Sequence, residues 1–269
     1  MKKCFAKLMR CVIPAMLVFI AAGCGKDPAA GDGSLEKVLN DKQLIIGLDE
    51  NYPPMGYVDE NGEIVGFDID VAQEVCNRLG ISLVKKPIDW DEKEKELNSG
   101  AIDCIWSGMS VTPEREESMN LSQPYMKNEL IFVVTSKSDA KSVSDLEGKT
   151  VGVQAGSTTQ ETIESSALYD KIKVNLNKDN IELFGELTNG TADAVLVDSV
   201  VAYFYISRSS EKFYVLPDSF REETLAIGFR KDDQTLRDRV QEIISEMKAD
   251  GTLREISVKW FGSDITIVK

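Results

Sequence analysis

Short apolar segments alternate with amphipathic helical segments along most of this chain, and this alternation strongly limits how it can fold. Apolar runs at 43–48, 81–84 and 101–106 have the length of buried strands. Between the first two runs, residues 68–79 repeat apolar side chains at helical spacing, and Gly80 ends the pattern. Strands that alternate with helices in this way form sheets of the parallel α/β type.

The same alternation restarts at about residue 130. Further strand-like runs lie at 130–135, 149–153, 173–176, 194–197 and 225–229. Helical segments are predicted between them, and two amphipathic helices follow the last run. Asp91 with Glu94, and Thr158 with Glu161, are predicted to form capping boxes at two helix starts. The body from about residue 34 is therefore predicted to hold two α/β units.

The N-terminus has the form of a bacterial secretory leader. Four basic residues precede an apolar run at 12–22 that is too short to span a membrane as a helix. The stretch Ala21-Ala22-Gly23-Cys24 resembles a lipobox, with alanine where leucine is more usual. We predict a signal peptide at 1–23, a lipid anchor on Cys24 and a flexible tether at 24–34. Alternatively, Cys24 is an ordinary cysteine near a signal-peptidase site.

The composition argues against several classes of function. The chain has 45 acidic and 31 basic residues, which leaves no basic surface for nucleic acid. It contains no histidine, so Ser-His-Asp and Cys-His catalysis and the commonest zinc ligand are excluded. We predict no metal and no cofactor. Cys76 and Cys104 are expected to be buried small hydrophobic residues, and a disulfide between them stays open.

Four polar segments follow predicted strands, where ligands bind in open α/β sheets. They lie at 49–54, 107–115, 154–159 and 198. Each also has an ordinary structural explanation, such as a solvated turn, a helix cap or a surface ion pair. For Arg115, the pair could form with one of the three glutamates at 114, 116 and 117.

Together these segments supply groups for both ends of a zwitterion. Thr112 is predicted to cap a helix, which puts Arg115 in the first turn, where the macrodipole is already positive and a cation needs an anion nearby. The helix-start amides at 157–159 also attract an anion. Asp49 and Asp198 attract cations instead. This set of cationic, amide and acidic groups suits a molecule with a carboxylate at one end and an ammonium at the other, as in an α-amino acid.

The segment VGFDIDVAQEVCNRLG at 65–80 resembles the characteristic segment of bacterial extracellular solute-binding proteins of family 3, the amino-acid receptors of ABC importers. The resemblance runs from about residue 35 to 261 through GLDENYPPM, SGMSVTPER, VGVQAGSTTQE, ADAVLVD and MKADGTLREISVKWFG. It implies a periplasmic-binding-protein type II fold, an α/β fold of two lobes joined by a two-strand hinge. The first lobe would comprise residues 35–128 and 223–269, and the second lobe residues 129–222.

The resemblance also implies a set of residues that line the ligand site in the cleft between the lobes. They are Asp49, Tyr52, Trp90, Ser107, Gly108, Met109, Ser110, Arg115, Gln154, Ser157, Thr158, Thr159 and Asp198. Arg115 would bind the ligand carboxylate with the amides of residues 157 and 158. Asp198 would bind the α-ammonium, helped by Ser110. Tyr52 and Trp90 would enclose the ligand side chain.

On this basis we expect a monomeric, non-catalytic lipoprotein, held outside the cytoplasm, that delivers a free amino acid to the permease of an ABC importer. Asp49 beside two aromatic residues favours a polar or cationic ligand, with arginine or lysine ahead of glutamine or cystine. An alternative is a secreted enzyme resembling cyclohexadienyl dehydratase, with Glu50 as its general acid. A sensory ectodomain would require a transmembrane helix after the second lobe, which the sequence does not predict.

Overall fold

The computed structural model describes residues 31–217 and 219–269 as a mixed α/β structure. Its strands are β1 (Gln43–Leu48), β2 (Asn51–Tyr52), β3 (Gly56–Val58), β4 (Ile64–Val65), β5 (Ser82–Pro87), β6 (Cys104–Ser110), β7 (Asn120–Leu121), β8 (Met126–Thr135), β9 (Thr150–Gln154), β10 (Lys173–Asn177), β11 (Ala194–Asp198), β12 (Phe213–Val215) and β13 (Arg221–Phe229). Its α-helices are α1 (Ser34–Asp41), α2 (Phe67–Leu79), α3 (Lys93–Asn98), α4 (Pro113–Ser118), α5 (Thr158–Glu164), α6 (Asn180–Asn189), α7 (Ser199–Arg208), α8 (Gln234–Asp250) and α9 (Thr252–Phe261). Each strand predicted from the apolar runs overlaps an observed strand.

The main sheet has the order β10-β9-β11-β8-β13-β6-β1-β5. On one side, β1 pairs in parallel with β5 and β6, and on the other, β9 pairs in parallel with β10 and β11. The long strands β8 and β13 pair antiparallel with each other between the two groups. The α/β class is therefore confirmed, with one parallel group in each lobe. We call the β1 group the first lobe and the β9 group the second lobe.

The predicted boundaries between the lobes fall inside the two strands that join them. The boundary at 128/129 lies in β8 and the boundary at 222/223 lies in β13. These positions suit a two-strand hinge, and the boundaries themselves stay a prediction. The signal peptide at 1–23 and Cys24 lie outside the described residues. Of the tether, residues 31–34 are described: Asp32 accepts hydrogen bonds from Thr235, and Ser34 begins α1.

The helices bury the faces that their sequence periodicity predicts. Ile69, Ala72, Val75 and Cys76 of α2 are buried, whereas Leu79 is partly exposed. The predicted apolar face of α8 is buried at all its positions, namely Leu236, Val240, Ile243, Ile244 and Met247. Cys76 and Cys104 are buried and free, and burial raises the pKa of the Cys76 thiol to about 12. Across 31–217 and 219–269, no helix has both the length and the hydropathy to cross a membrane.

Neither of the two predicted capping boxes forms. The first residue of α5 is Thr158, so its cap is Ser157, whose hydroxyl accepts from the Gln160 amide. Before α3, a 3-10 turn at Trp90–Glu92 is capped by Asp89 rather than by Asp91. In both places the helical segment starts earlier than predicted, because an earlier residue, Asp89 or Ser157, already has the extended backbone and the accepting side chain of a cap.

Candidate functional site

A cavity lies where β1, β6, β9 and β11 end, at the edge between the two lobes. Its free volume is about 20 Å³, room for little more than one water molecule, so the two lobes stand close together here. It is lined by Asp49, Tyr52, Trp90, Ser107, Gly108, Ser110, Arg115, Gln154, Ser157, Thr158 and Asp198. All of these residues belong to the predicted set. Within each lobe the parallel strands direct their carboxyl ends to one edge, and residues from both of these edges line the cavity.

Two predicted residues do not line this cavity. Met109 is fully buried and packs in an apolar cluster with Trp90 and Met119. Its side chain leaves β6 on the face opposite the neighbouring Ser110, as alternation along a strand requires. Thr159 is also buried, and its hydroxyl lies 2.6 Å from the Ser157 hydroxyl. Both side chains therefore support the wall of the cavity instead of forming it.

Arg115 brings a positive charge to the cavity without a strong anionic partner. Thr112 caps α4 as predicted, since its hydroxyl accepts from the Arg115 amide at 3.2 Å. The guanidinium is buried, and its Nη1 donates to the Ser110 carbonyl at 2.9 Å. Nη2 has no hydrogen-bond partner among the described residues. The nearest acidic contact is Glu161 at 3.9 Å, so no glutamate of α4 neutralises this arginine.

Asp198 brings a carboxyl group to the same cavity. It is the last residue of β11 and directly precedes α7, but its side chain makes no cap hydrogen bond to that helix. It accepts instead from the Asn128 amide of β8. Burial and, after it, the nearby charge of Glu223 raise the pKa of Asp198 to about 7, against the lowering effect of hydrogen bonds from Tyr52 and Asn128.

Asp49 lies at the end of β1 as a second buried carboxyl group. Its Oδ2 accepts from Gln154 Nε2 at 2.6 Å, and its Oδ1 accepts from the Asn51 amide at 2.8 Å. Burial raises its pKa to about 6, and the charges of Asp179 and Glu50 act in the same direction. No lysine or arginine pairs with Asp49 in the described part of the chain.

Gly108 allows the Tyr52 ring to enter the cavity wall. Its φ is +52°, and a Cβ at this position would lie 2.5 Å from Tyr52 Cε1. The Gly108 amide donates to Asp68 Oδ2 at 2.7 Å, and the Tyr125 hydroxyl donates to the same oxygen at 3.0 Å. Burial raises the pKa of Asp68 to about 7. A serine in place of Gly108 would have no room for its side chain.

Several contacts cross the cavity from one lobe to the other. Besides the Asp49–Gln154 bond, the side-chain Nδ2 of Asn51 donates to Asp179 Oδ2 at 3.0 Å. The Thr158 hydroxyl donates to Ser110 Oγ at 3.2 Å. At the rim, the buried Lys93 amine donates to the Gly156 carbonyl at 2.8 Å. The two lobes are therefore joined by hydrogen bonds at several points at and near the cavity.

Four polar residues that support the site were missed by sequence reasoning. They are Asp68, Lys93, Asn128 and Glu223, all of which are buried. Lysine in the run DEKEKEL and glutamate in the run REET are typical of solvated surfaces. Asp68 stands in the first turn of a helix, where an acidic residue is already favourable. No local signal distinguishes these residues from surface residues.

Metal ligation has no basis in residues 31–217 and 219–269. There, no group of three acidic or cysteine side chains is arranged to hold a metal ion. The cavity instead offers one guanidinium, two carboxyl groups and several hydroxyl and amide groups. This set can bind a small molecule that carries both charges.

Known proteins resemble this chain over nearly its whole length. The family model described as bacterial extracellular solute-binding proteins, family 3, matches residues 44–263. The L-cystine-binding protein TcyJ of Escherichia coli is 30% identical over 253 residues, which cover 93% of this chain and 94% of that protein. The arginine-binding extracellular protein ArtP of Bacillus subtilis is 30% identical over 257 residues, 95% of this chain and 98% of that protein.

Solved structures give the same result. A substrate-binding protein of an ABC uptake transporter from Streptococcus pneumoniae, with bound histidine, has a TM-score of 0.85 and 37% identity, covering 88% of this chain and 99% of that one. The ancestral amino-acid-binding protein AncCDT-1, a precursor of cyclohexadienyl dehydratase, has a TM-score of 0.79 and 33% identity, covering 85% and 99%. The neighbours share the type II fold of periplasmic amino-acid-binding proteins. This chain belongs to the bacterial extracellular solute-binding proteins of family 3.

Proposed function

We propose that this protein captures an α-amino acid in the cavity between its lobes and delivers it to the permease of an ABC importer. The observation that carries the proposal is that Arg115 and Asp198, one from each lobe, line a single cavity. A zwitterion has one charge for each of them. The amino-acid ligands of the relatives support the same class of molecule.

The carboxylate of the amino acid binds Arg115. The free Nη2 and the planar guanidinium suit a carboxylate, which can accept two parallel hydrogen bonds. Ser157 and Thr158 lie at the start of α5, whose amides add donors. Because Arg115 is buried, this interaction is screened little by water.

The α-ammonium binds Asp198, and the side chain of the ligand extends toward Asp49. Asp49 is a buried acid without a cationic partner in the described residues, and Trp90 lies beside it in the cavity wall. A cationic side chain would supply the missing charge, and the aromatic ring would add a cation–π contact. We therefore favour arginine or lysine over histidine, glutamine and cystine.

The same proposal includes attachment to the membrane. Cleavage before Cys24 and lipidation of its thiol would hold a monomeric receptor outside the cytoplasm, close to its permease. Metabolic labelling with a fatty acid tests this directly. Label should enter wild-type protein and be absent from Cys24→Ser, and equal labelling of both would contradict the anchor.

A thermal-shift screen of the twenty amino acids, ornithine and cystine tests ligand capture. An amino acid at 100 times its Kd stabilises by about 2.7 kcal/mol, which is readily measured. Arg115→Ala should abolish the shift for every amino acid, because all share the carboxylate. Arg254→Ala, at an exposed position of α9, is the matched control and should keep the shift. An unchanged shift in Arg115→Ala would rule out the proposed pose.

A second candidate function is dehydration of a cyclohexadienyl acid, favoured by the raised pKa of a buried cavity acid, Asp198. AncCDT-1 supports keeping this candidate. Glu50, the general acid that the sequence suggested, does not line the cavity, since it lies in the turn after β1. Incubation with prephenate or arogenate is the test: an aromatic product that is lost in Asp198→Asn would favour the enzyme over the receptor.

A further inference from the structure

Glu223 lies at the junction of the two lobes and contacts a cavity residue from each. Its side chain on β13 is 1% exposed. Its Oε2 accepts from the Ser110 hydroxyl at 2.7 Å and from the Thr158 hydroxyl at 3.2 Å. Ser110 belongs to the first lobe and Thr158 to the second, and both line the cavity.

These contacts decide how the two hydroxyl groups face the cavity. A hydroxyl group has one hydrogen to donate and two lone pairs to accept with. Ser110 donates its hydrogen to Glu223, and Thr158 donates its own to Glu223 or to Ser110 Oγ, also at 3.2 Å. A carboxylate can only accept, so it keeps both hydrogens directed away from the cavity. The two oxygens then present only lone pairs to a ligand.

The groups around Glu223 also favour hydroxyl oxygens that act only as hydrogen-bond acceptors toward the cavity. Glu223 Oε1 has no hydrogen-bond partner among the described residues, and the nearest cationic atom is Arg221 Nε at 3.6 Å. The charge of Glu223 therefore acts on its buried neighbours, and it raises the pKa of Asp198. Asp198 and the two hydroxyl oxygens line the same cavity, and with Asp198 ionised all three can accept a hydrogen bond from a ligand.

We propose that Glu223 is a positioning residue that makes Ser110 and Thr158 hydrogen-bond acceptors, so that the cavity requires a primary ammonium group and rejects a hydroxyl group at the α-carbon. A primary ammonium has three donors and no acceptor, which matches this wall. An α-hydroxyl has one donor and two lone pairs that would face other lone pairs. The inference rests on the proposed function and adds the group that sets its selectivity for amino acids.

The test compares amino acids with their 2-hydroxy acids by isothermal titration calorimetry. The probes are L-arginine and L-histidine, each beside the 2-hydroxy acid with the same side chain. Wild-type protein should prefer the amino acid by at least about a thousandfold, since an unmatched buried polar group is strongly rejected. In Glu223→Gln, the new amide can donate as well as accept, which frees the hydroxyl hydrogens. The preference should then fall by at least about tenfold.

Two further variants separate selectivity from a general loss of structure. Glu222→Gln removes the same charge from the neighbouring exposed position of β13 and should keep the wild-type preference. Thr158→Val removes one acceptor at nearly constant volume, and it should weaken amino-acid binding more than hydroxy-acid binding. If Glu223→Gln and Thr158→Val weaken both ligand types equally, the inference is overturned. Wild-type protein that binds no amino acid would instead overturn the proposed function.

Discussion

The Lys93 amine of α3 donates a hydrogen bond to the Gly156 carbonyl, 2.8 Å away, in the loop between β9 and α5. The same amine donates to the Trp90 carbonyl at 3.2 Å. Lys93 is 6% exposed, and burial lowers its pKa to about 8, helped by the charge of Arg115. A buried amine thus joins the two lobes at the rim of the cavity, beside an aromatic wall of the site.

Lys93→Met should weaken amino-acid binding by about tenfold or more, because a charge-assisted hydrogen bond between the lobes is lost. The Tm of the ligand-free protein should change less than that of the complex. Lys95→Met is the control, since this side chain on the same helix is 80% exposed. Calorimetric titration of both variants with L-arginine measures the difference. Equal affinities in the two variants would mean that this contact between the lobes does not support ligand binding.

Gly156→Ala should also weaken binding, through a steric effect. The φ of Gly156 is +67°, and a Cβ would lie 2.9 Å from the Cα of Asp91 in the opposite lobe. Gly148→Ala controls for the backbone strain alone, because Gly148 has a φ of +78° and no atom within 4 Å of a Cβ. Both variants should lose about 1 kcal/mol of stability, but only Gly156→Ala should lose affinity. A similar loss of affinity in both would assign the effect to strain.

Asp49→Asn should distinguish ligands by the charge of their side chains. Binding of L-arginine should fall by roughly tenfold to a hundredfold, because a charged hydrogen bond becomes a neutral one. Binding of L-glutamine should change little. Glu50→Gln removes the same charge from the next residue, outside the cavity lining, and serves as the control. An equal loss for both amino acids in Asp49→Asn would place the ligand side chain elsewhere.

The stability of the ligand-free protein should rise as the pH falls from 8 to 5. The pKa values of Asp68 and Asp198 are about 7 and that of Asp49 is about 6, against an ordinary value of 3.8 for an aspartate. Between these values the folded state binds more protons than the unfolded state, so the stabilisation present at low pH is lost as the pH rises through the folded-state pKa. Each group contributes up to about 1.4 kcal/mol per pH unit.

Urea unfolding at several pH values measures this slope. Asp68→Asn should flatten it, since one titrating group is removed. Asp59→Asn should leave the slope unchanged in this range, because backbone hydrogen bonds lower the pKa of Asp59. A ligand-free protein whose stability stays constant from pH 8 to 5 would contradict the raised pKa values.

Amino-acid affinity should have the opposite pH dependence. The α-ammonium binds the ionised form of Asp198, whose pKa is about 7 in the ligand-free protein. Below that pH a proton must leave before the ligand binds, so affinity should fall by up to about tenfold per pH unit. Calorimetry with L-arginine between pH 8 and 5.5 measures the effect. Affinity that is independent of pH would show that Asp198 does not contact the ammonium.

Local sequence patterns were sufficient for much of the fold and for part of the cavity lining. The apolar runs located β1, β6, β9 and β11, and a polar residue directly after such a run could be assigned to the ligand edge of the sheet. Asp49 and Asp198 follow from this rule. Arg115 follows from the cap at Thr112, which the structure contains. The resemblance to a family then supplied Tyr52, Trp90 and Gln154, which the structure places in the cavity lining.

The sequence by itself thus determined the α/β class and the ends of the strands, because buried apolar side chains recur with the period of a strand or of a helix. It also determined which charged residues lie at those strand ends. The tertiary structure alone decided which charges are buried and what they contact. Glu223 reaches Ser110 because β13 pairs with β6 in the register that opposes Leu225 to Ser110. Lys93 reaches Gly156 because the two lobes meet. Such contacts join residues that are far apart in the chain, so the local periodicity of the sequence does not predict them.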